Sequence, residues 1–231
     1  PENTLGEILD KVQAAMVMDG LFWKQEGFER ETFLAGIPDK DTRELADINF
    51  GPWDRLNADK SFVEGQAERP PGIDFYPKDM TKEEFEKWEQ PGKDGWYSLV
   101  RRGDDGKLKL VSFHEAYKDE LEKAAALLRE AAPLSKDKSF ANYLNMRADA
   151  LLSDDYRPSD MAWMDMKTNP VDIVIGPIES YEDQVFGFRT AYEGMVLLKD
   201  KAWSEKLARY AGFLPELQRE LPVADKYKAE R

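Results

Sequence analysis

The chain has 231 residues, of which 42% are hydrophobic and 12% aromatic. This composition excludes a disordered polypeptide and predicts a globular protein with one large domain or two small ones. The formal net charge is −13, from 46 acidic and 33 basic residues. Because nucleic-acid binding depends on Lys and Arg neutralising phosphates, we expect no nucleic-acid partner. No apolar run reaches the roughly 18–20 residues of a membrane-spanning helix, so no membrane partner is expected either.

The chain contains no cysteine and a single histidine, His114. This excludes disulfides, thiolate nucleophiles, cysteine zinc sites and iron–sulfur clusters. A zinc site with two histidines is also impossible within this chain, and a site of three carboxylates with His114 has little support. The lack of cysteine leaves the cytoplasm and the periplasm open. The start at Pro1, without a signal-peptide pattern, fits an excised piece, a mature chain or simple Met removal.

Helical signals dominate the first fifty residues. Thr4 is expected to cap a helix that begins at Leu5, with Glu7 completing a capping box. Further helices are predicted over residues 22–34 and 42–48. The predicted apolar face of the first helix comprises Leu5, Ile8, Leu9, Val12, Ala15 and Met16.

The middle of the chain is richer in Gly and Pro. Residues 50–79 are predicted to be extended and loop, because Pro and Gly interrupt helices there. A short capped helix is expected over residues 81–88. Two β-prone segments, 96–101 and 107–111, flank Asp104-Asp105-Gly106, a sequence typical of a hairpin turn.

The second half predicts a helical hairpin followed by two strands. Residues 112–115 should cap a helix to about 132, with a partner helix over about 138–152. Strands are expected over 171–179 and 191–198, and a last helix over about 203–214 with an alternative end near 221. The predicted buried stripe of the first of these helices comprises Tyr117, Leu121, Ala124, Ala125 and Leu128.

These elements predict an α+β fold that is mostly helical, with a small mixed or antiparallel sheet. We interpret residues 1–231 as a single region. Its first part, to about residue 165, is helical with the hairpin near 96–111. Its second part, about 166–231, is strand, strand and helix.

Few catalytic chemistries are compatible with these residues. His114 lies beside Ser112 at a predicted helix start, where capping explains both residues better than a Ser-His-Asp triad does. Carboxylate pairs can catalyse glycoside hydrolysis, but with 46 acidic residues their mere abundance carries little information. The glycines of 92–95 and 103–106 are turn glycines, and neither segment has the pattern of a phosphate-binding loop.

The segment 169–183 is the most distinctive. A hydrophobic strand runs into Glu179, Ser180 and Tyr181, and strand ends are where rigid scaffolds present binding groups. On these residues alone, a strand that leaves the core into a solvated turn is the favoured interpretation.

A family resemblance changes that interpretation. The pattern Gly176-x-Ile178-Glu179-Ser180-Tyr181-x-Asp183, followed by Phe186-Gly187-x-Arg189 and Glu193-Gly194, resembles dipeptidyl peptidase III. Pro177 and Glu182 replace an aromatic residue and an arginine, which fits a bacterial branch of that family. Segments 49–56, 75–85 and 161–166 look like the same branch.

The resemblance implies a zinc metallopeptidase with two lobes around a cleft. The zinc motif His-Glu-x-x-Gly-His and a further Glu ligand belong to a downstream catalytic lobe, and the motif does not occur in this sequence. This chain would be the N-terminal part of the barrel-containing lobe, with no cofactor of its own and zinc in the full-length enzyme. Its partners would be an oligopeptide substrate and the catalytic lobe of the same polypeptide.

The same resemblance assigns substrate binding to Glu179, Ser180 and Tyr181. These positions match family residues that line the cleft, where the glutamate pairs with the free amino terminus of the peptide. The tyrosine hydrogen-bonds near the reacting centre.

Three hypotheses follow. The first is the peptide-binding part of a dipeptidyl-peptidase III-like enzyme that removes dipeptides from peptide N-termini, catalytically inactive by itself. The second is a stand-alone binding or scaffolding module of the same fold. The third is an unrelated hydrolase that uses a carboxylate pair.

Overall fold

The computed structural model describes the backbone of residues 2–229 and the side chains of residues 11–229. Two 3₁₀ turns cover Ala132–Leu134 and Asp225–Tyr227. None of the helices in these residues is long and apolar enough to cross a membrane. In chain order, the helices and strands are α1 (Glu2–Gln25), α2 (Arg30–Ala35), α3 (Lys40–Ile48), β1 (Trp53–Asp54), β2 (Lys60–Ser61), α4 (Lys82–Lys87), β3 (Ser98–Arg102), β4 (Leu108–Ser112), α5 (Phe113–Ala116), α6 (Lys118–Ala131), α7 (Lys138–Leu151), α8 (Arg157–Asp165), β5 (Val171–Glu179), β6 (Ala191–Leu198), α9 (Lys201–Ala211) and α10 (Leu214–Arg219).

The predicted α+β class, mostly helical with a small antiparallel sheet, is confirmed. The strands form three antiparallel pairs, β1–β2, β3–β4 and β5–β6, and residues 2–229 contain no closed barrel. The β5–β6 pair is the longest. Its register shifts between Pro177 and Glu179, so that one extra residue bulges out just before the end of β5.

The N-terminal helices differ from the prediction. Helix α1 begins at Glu2, so Thr4 lies inside it, and the side chains of the expected capping box lie outside the described residues. The predicted helix over 22–34 is wrong. Helix α1 ends at Gln25, Gly27 adopts a left-handed φ of 90°, and α2 starts only at Arg30. Helix α8, which begins with Pro158 in its first turn, was not predicted.

Three residues of the predicted apolar face of α1, Leu5, Ile8 and Leu9, lie outside the described side chains, and the described part differs from the prediction. Val12 and Met16 are exposed, whereas Ala14, Met18 and Leu21 are fully buried. Lys11 is buried too, with its Nζ 4.1 Å from the centroid of the Phe140 ring. Because Lys11 is charged, apolar residues at helical spacing do not predict that its side of the helix is buried.

The core is built on α1, the α6–α7 hairpin and β6. All five residues of the stripe predicted on α6 and the turn before it are buried, as expected from their helical spacing. The predicted continuous helix from 112 is nevertheless divided at Tyr117 into α5 and α6. Strand β6 crosses α1 at Gly194, where a Cβ atom would lie 2.7 Å from the Cα of Ala15. Only glycine permits this close approach.

The loop between β5 and β6 is held by a buried polar network. The carboxylate of Asp183 accepts a hydrogen bond of 2.6 Å from the hydroxyl of Tyr76. It also accepts hydrogen bonds from the backbone N–H groups of residues 185, 186, 188 and 189. The buried guanidinium of Arg189 donates to the Tyr76 hydroxyl at 2.7 Å and to the carbonyl of Lys93 at 2.8 Å.

We expect Asp183→Ala to lower the free energy of unfolding by about 3–5 kcal/mol, because it leaves the buried Arg189 without its nearby carboxylate. Urea unfolding followed by circular dichroism measures this. Asp165→Ala, at the exposed end of α8, is the matched control and should change stability by less than about 0.5 kcal/mol. Equal effects of the two substitutions would contradict the assignment.

Candidate functional site

The three predicted site residues lie together at the end of β5 but face two different pockets. Glu179 is the last residue of β5 and is half-buried. Tyr181 is 67% exposed. Glu179 and Tyr181 line one pocket, whereas Ser180 lines another. Successive side chains of an extended backbone alternate between its two sides, so Ser180 points away from Glu179 and Tyr181.

The first pocket, which we name the acidic pocket, has a volume of about 310 Å³. It combines four carboxylates with one guanidinium and an apolar wall, and partial burial raises the pKa of its Asp19 carboxyl. The guanidinium of Arg55 is paired with Glu182 of the pocket and with Glu26 outside its lining, so the net charge of the pocket is negative. The lining residues are Asp19, Phe22, Ile48, Phe50, Arg55, Glu179, Tyr181, Glu182, Tyr192, Glu193, Gly194 and Met195.

Two of these carboxylates form a pair. The side chains of Glu179 and Glu193 share a hydrogen bond, which together with burial and the neighbouring negative charge raises the pKa of Glu193 to about 7.

Sequence reasoning missed Glu193 as a site residue, although the Glu193-Gly194 pair had been noted in the family pattern. The signal that could have found it is strand pairing. Glu193 lies opposite Gly176 in β6, a few residues from the end of β5 where Glu179 lies. Register cannot be read from one sequence when the connecting loop is long.

Tyr181 completes this group. Burial of part of the ring, and then its hydrogen bond with Glu179, raise the pKa of the Tyr181 hydroxyl to about 12. The phenol is therefore protonated at neutral pH and acts as a hydrogen-bond donor. The carboxylate of Glu179 thus lies between a phenol and a second carboxyl group.

The second pocket, which we name the aromatic pocket, has a volume of about 670 Å³. Its lining is mostly aromatic and apolar, and a pocket of this size and composition suits an apolar or aromatic group. The guanidinium of Arg147 lies 5.5 Å from the Tyr143 ring centre and 5.4 Å from that of Tyr156, and it is ion-paired with Asp160. The lining residues are Trp96, Tyr97, Tyr143, Arg147, Tyr156, Asp160, Trp163, Met164, Val174, Ile175, Pro177, Ile178, Ser180, Gly187, Phe188 and Thr190.

The single histidine has a structural environment. The Nδ1 of His114 lies 2.8 Å from Oδ2 of Asp154, which also accepts the His114 backbone N–H. The hydroxyl of Ser112 is buried and makes no hydrogen bond to this imidazole within the described residues, and it also forms no capping bond on α5. The pair ties α5 to the turn after α7, and it lacks the nucleophile of a triad.

Metal binding finds no support in this part of the chain. Among residues 11–229, no three side chains of His, Asp or Glu are grouped so that they could hold a metal ion. The residues present therefore do not fit a zinc site, and we derive no chemical step through zinc from them.

Comparison with known proteins identifies the family. The profile of peptidase family M49 matches residues 97–231, more than half of the chain. The chain belongs to this family. The fold of the whole chain matches the dipeptidyl-peptidase III structure from Caldithrix abyssi with a TM-score of 0.90 and 37% sequence identity. It matches that of dipeptidyl-peptidase III from Corallococcus sp. strain EGB with a TM-score of 0.88 and 34% identity.

The chain spans about half the length of these M49 structures. It covers 46% of the Caldithrix chain and 45% of the Corallococcus chain. A more distant similarity, 27% identity over 94% of this chain, relates it to a protein named Nudix hydrolase 3 from Arabidopsis thaliana, of which it covers 36%. The resemblance inferred from the Glu179-Ser180-Tyr181 segment is therefore confirmed at the level of the family.

We expect Glu179→Gln to lower the pKa of Glu193 from about 7 towards its ordinary value of 4.5, because it removes the neighbouring negative charge. Carbon-13 NMR of the Glu side-chain carboxyls as a function of pH measures this. Glu205→Gln on the exposed helix α9 is the control and should leave the titration of Glu193 unchanged. A Glu193 that already titrates near 4.5 in the unmodified chain would contradict the pairing.

Proposed function

We propose that this chain is the peptide-binding part of a dipeptidyl-peptidase III-like zinc metallopeptidase that removes dipeptides from peptide N-termini. Residues 1–231 would work as one substrate-binding region that is catalytically inactive alone, with zinc held by residues outside this chain. The observation that carries the proposal is the Glu179–Glu193 pair beside Tyr181 in the acidic pocket.

The pair suits the free amino terminus of a peptide. An ammonium group has three donors and a positive charge, and two adjacent carboxylates supply acceptors on one side of it. The ammonium would replace the proton between Glu179 and Glu193, so that Glu193 becomes charged when the peptide binds. Tyr181 would orient the Glu179 carboxylate through its hydroxyl.

An anchor for the amino terminus also explains how a dipeptide is measured. If the terminus is fixed, each following peptide bond lies at a set distance from it, and positioning of this kind supplies much of the rate of an enzyme. The aromatic pocket, with Ser180 on its wall, would take apolar side chains of the same peptide. Both pockets open at the end of β5, which supports one peptide using both.

Binding of a tetrapeptide with a free amino terminus tests the proposal. We expect Glu179→Gln to weaken it about tenfold to a hundredfold, the equivalent of one charged hydrogen bond, while the free energy of unfolding changes little. Isothermal titration calorimetry and urea unfolding provide the two measurements. An N-acetylated peptide of the same sequence should not bind, and equal losses of binding and stability would make Glu179 a structural residue.

The pH dependence of this binding has a defined sign. Affinity should rise as pH increases through about 7, because Glu193 must lose its proton to meet the ammonium. It should fall again above about pH 8, where the peptide amine itself loses its proton.

The C-terminal helices favour a larger polypeptide over the alternative of a stand-alone module. Helices α9 and α10 contain no buried residue. Their apolar side chains recur at helical spacing and are each at least 60% exposed: Trp203, Leu207, Tyr210, Leu214 and Leu217. An exposed apolar stripe of this length is typical of a surface that another part of a protein covers. We assign that cover to the catalytic lobe of the same polypeptide.

We therefore expect Leu207→Glu to affect the free energy of unfolding differently in residues 1–231 and in a longer polypeptide. In residues 1–231 the free energy of unfolding should change by less than about 0.5 kcal/mol, because Leu207 is 64% exposed. In a polypeptide that also contains the catalytic lobe, it should lower stability by about 2 kcal/mol or more, because a charge would be buried. Lys206→Glu on the same helix is the control, and a silent Leu207→Glu in the longer polypeptide would favour the stand-alone module.

A further inference from the structure

Four charged side chains form a closed cluster under the acidic pocket. We name Glu26, Arg55, Arg69 and Glu182 the buried ion cluster. The side chains of Glu26, Arg69 and Glu182 are 0, 3 and 4% exposed, and that of Arg55 is 27% exposed. Such charges are stable in the interior only when each is paired.

The pairing is mutual and charge-balanced. Arg55 donates to Glu182 at 2.6 Å and to Glu26 at 2.8 Å. Arg69 donates to the same two carboxylates, at 2.5 Å to Glu182 and at 2.6 and 3.0 Å to Glu26. Two guanidinium groups thus face two carboxylates, and Nη1 of Arg69 also lies 3.9 Å from the carboxylate of Asp59 at the edge of the cluster.

The cluster touches the proposed amine site at a defined point. Glu182 directly follows Tyr181, and all three of Glu179, Tyr181 and Glu182 line the acidic pocket. Glu26 lies just after the end of α1, and Arg55 follows β1, so the cluster joins three distant segments of the chain. The Arg55 guanidinium also packs 5.0 Å from the Phe22 ring centre, on the wall of the acidic pocket.

We infer that Arg55 is a positioning residue for the amine site, because it bridges Glu182 to Glu26 and thereby holds the Glu179–Tyr181 segment in place beside Glu193. The inference rests on the proposed function for the identity of the ligand. Arg55 itself does not contact the amine, since its guanidinium is occupied by the two carboxylates and by the carbonyl of Asn49.

Arg55 rather than Arg69 is the residue to test. The Arg69 side chain is 3% exposed and donates three hydrogen bonds to the two carboxylates, so its loss would disturb the buried part of the cluster more than loss of Arg55 would. Loss of Arg55 leaves Glu26 and Glu182 joined by Arg69, so the chain should still fold. A lysine would keep the charge of Arg55 but lacks the planar fork that spans two carboxylates.

When Arg55 is replaced, a positioning role and a purely electrostatic role predict opposite changes in the pKa of Glu193 and in peptide affinity. Removing a positive charge from the pocket makes it more negative, which by itself raises the pKa of Glu193 and strengthens the attraction for an ammonium group. Release of the Glu179–Tyr181 segment separates Glu179 from Glu193, which lowers the pKa of Glu193 and weakens peptide binding. The other titratable groups that line the pocket are unchanged in the comparison: Asp19, Tyr181, Glu182 and Tyr192.

The first experiment needs no ligand. Carbon-13 NMR titration of Glu193 should show a pKa lower by about one pH unit in Arg55→Met and in Arg55→Lys. Arg129→Met, which removes an exposed ion pair with Asp149, should leave the titration unchanged. A pKa of Glu193 that rises or stays the same in Arg55→Met, or full rescue by Arg55→Lys, would overturn the positioning role.

The second experiment uses the free-amine tetrapeptide. Arg55→Met and Arg55→Lys should each weaken its binding by about tenfold, whereas tighter binding would show an electrostatic role only. If the unmodified chain binds no peptide, the proposed function fails, but the Glu193 titration still decides the positioning role. If Arg55→Met does not fold, Arg55→Lys carries both measurements, because it retains the charge balance of the cluster.

Discussion

Two adjacent carboxylates, Glu182 and Asp183, are both buried, and each must find cationic or hydrogen-bonding partners because an unpaired buried charge is very costly. Glu182 is paired with Arg55 and Arg69, and Asp183 with Tyr76 and the backbone of its own loop. The side-chain partners Arg55, Arg69 and Tyr76 come from segments more than 100 residues away in sequence. The loop between β5 and β6 therefore has one arrangement that satisfies both carboxylates at once.

The net contribution of such a cluster to stability is small, because the desolvation of the ions offsets much of their attraction. What the cluster provides is a defined geometry. The chain after β5 must pass over the end of α1 and beside the segment that follows β1, and this path forms three walls of the acidic pocket. The contact of Gly194 with Ala15 supplies the remaining wall by placing β6 against α1. The raised pKa of Glu193 is a consequence of this enforced proximity to Glu179.

The M49 relationship gives these features a shared interpretation. An anionic anchor and a large aromatic concavity lie side by side at one strand end, which suits a ligand with a charged terminus and apolar side chains. The apolar stripe of α9 and α10 is exposed within the described residues. The chain spans about half the length of the two dipeptidyl-peptidase III structures that it matches.

Local patterns were predicted well where the determining contacts are local. The turn at 104–106 and the buried stripe that includes Leu121 and Leu128 follow from residue types a few positions apart. The face of α1 was predicted wrongly because the burial of Lys11 depends on Phe140, far along the chain. The break after Gln25 was missed because a single glycine, Gly27, ends the helix through its left-handed φ of 90°, and an isolated glycine is a weak signal in the sequence.

The sequence by itself determined the α+β class, the family, and the presence of Glu179, Ser180 and Tyr181 at a strand end. Strand patterns and motifs depend only on residues that are close together in the sequence. Only the tertiary structure decided that Glu193 is the partner of Glu179, that Ser180 faces a separate pocket, and that Arg55 lies beneath the site. Strand register, the packing that forms each pocket and the pairing of buried charges set these relations. Each of them depends on segments that meet only after the chain has folded.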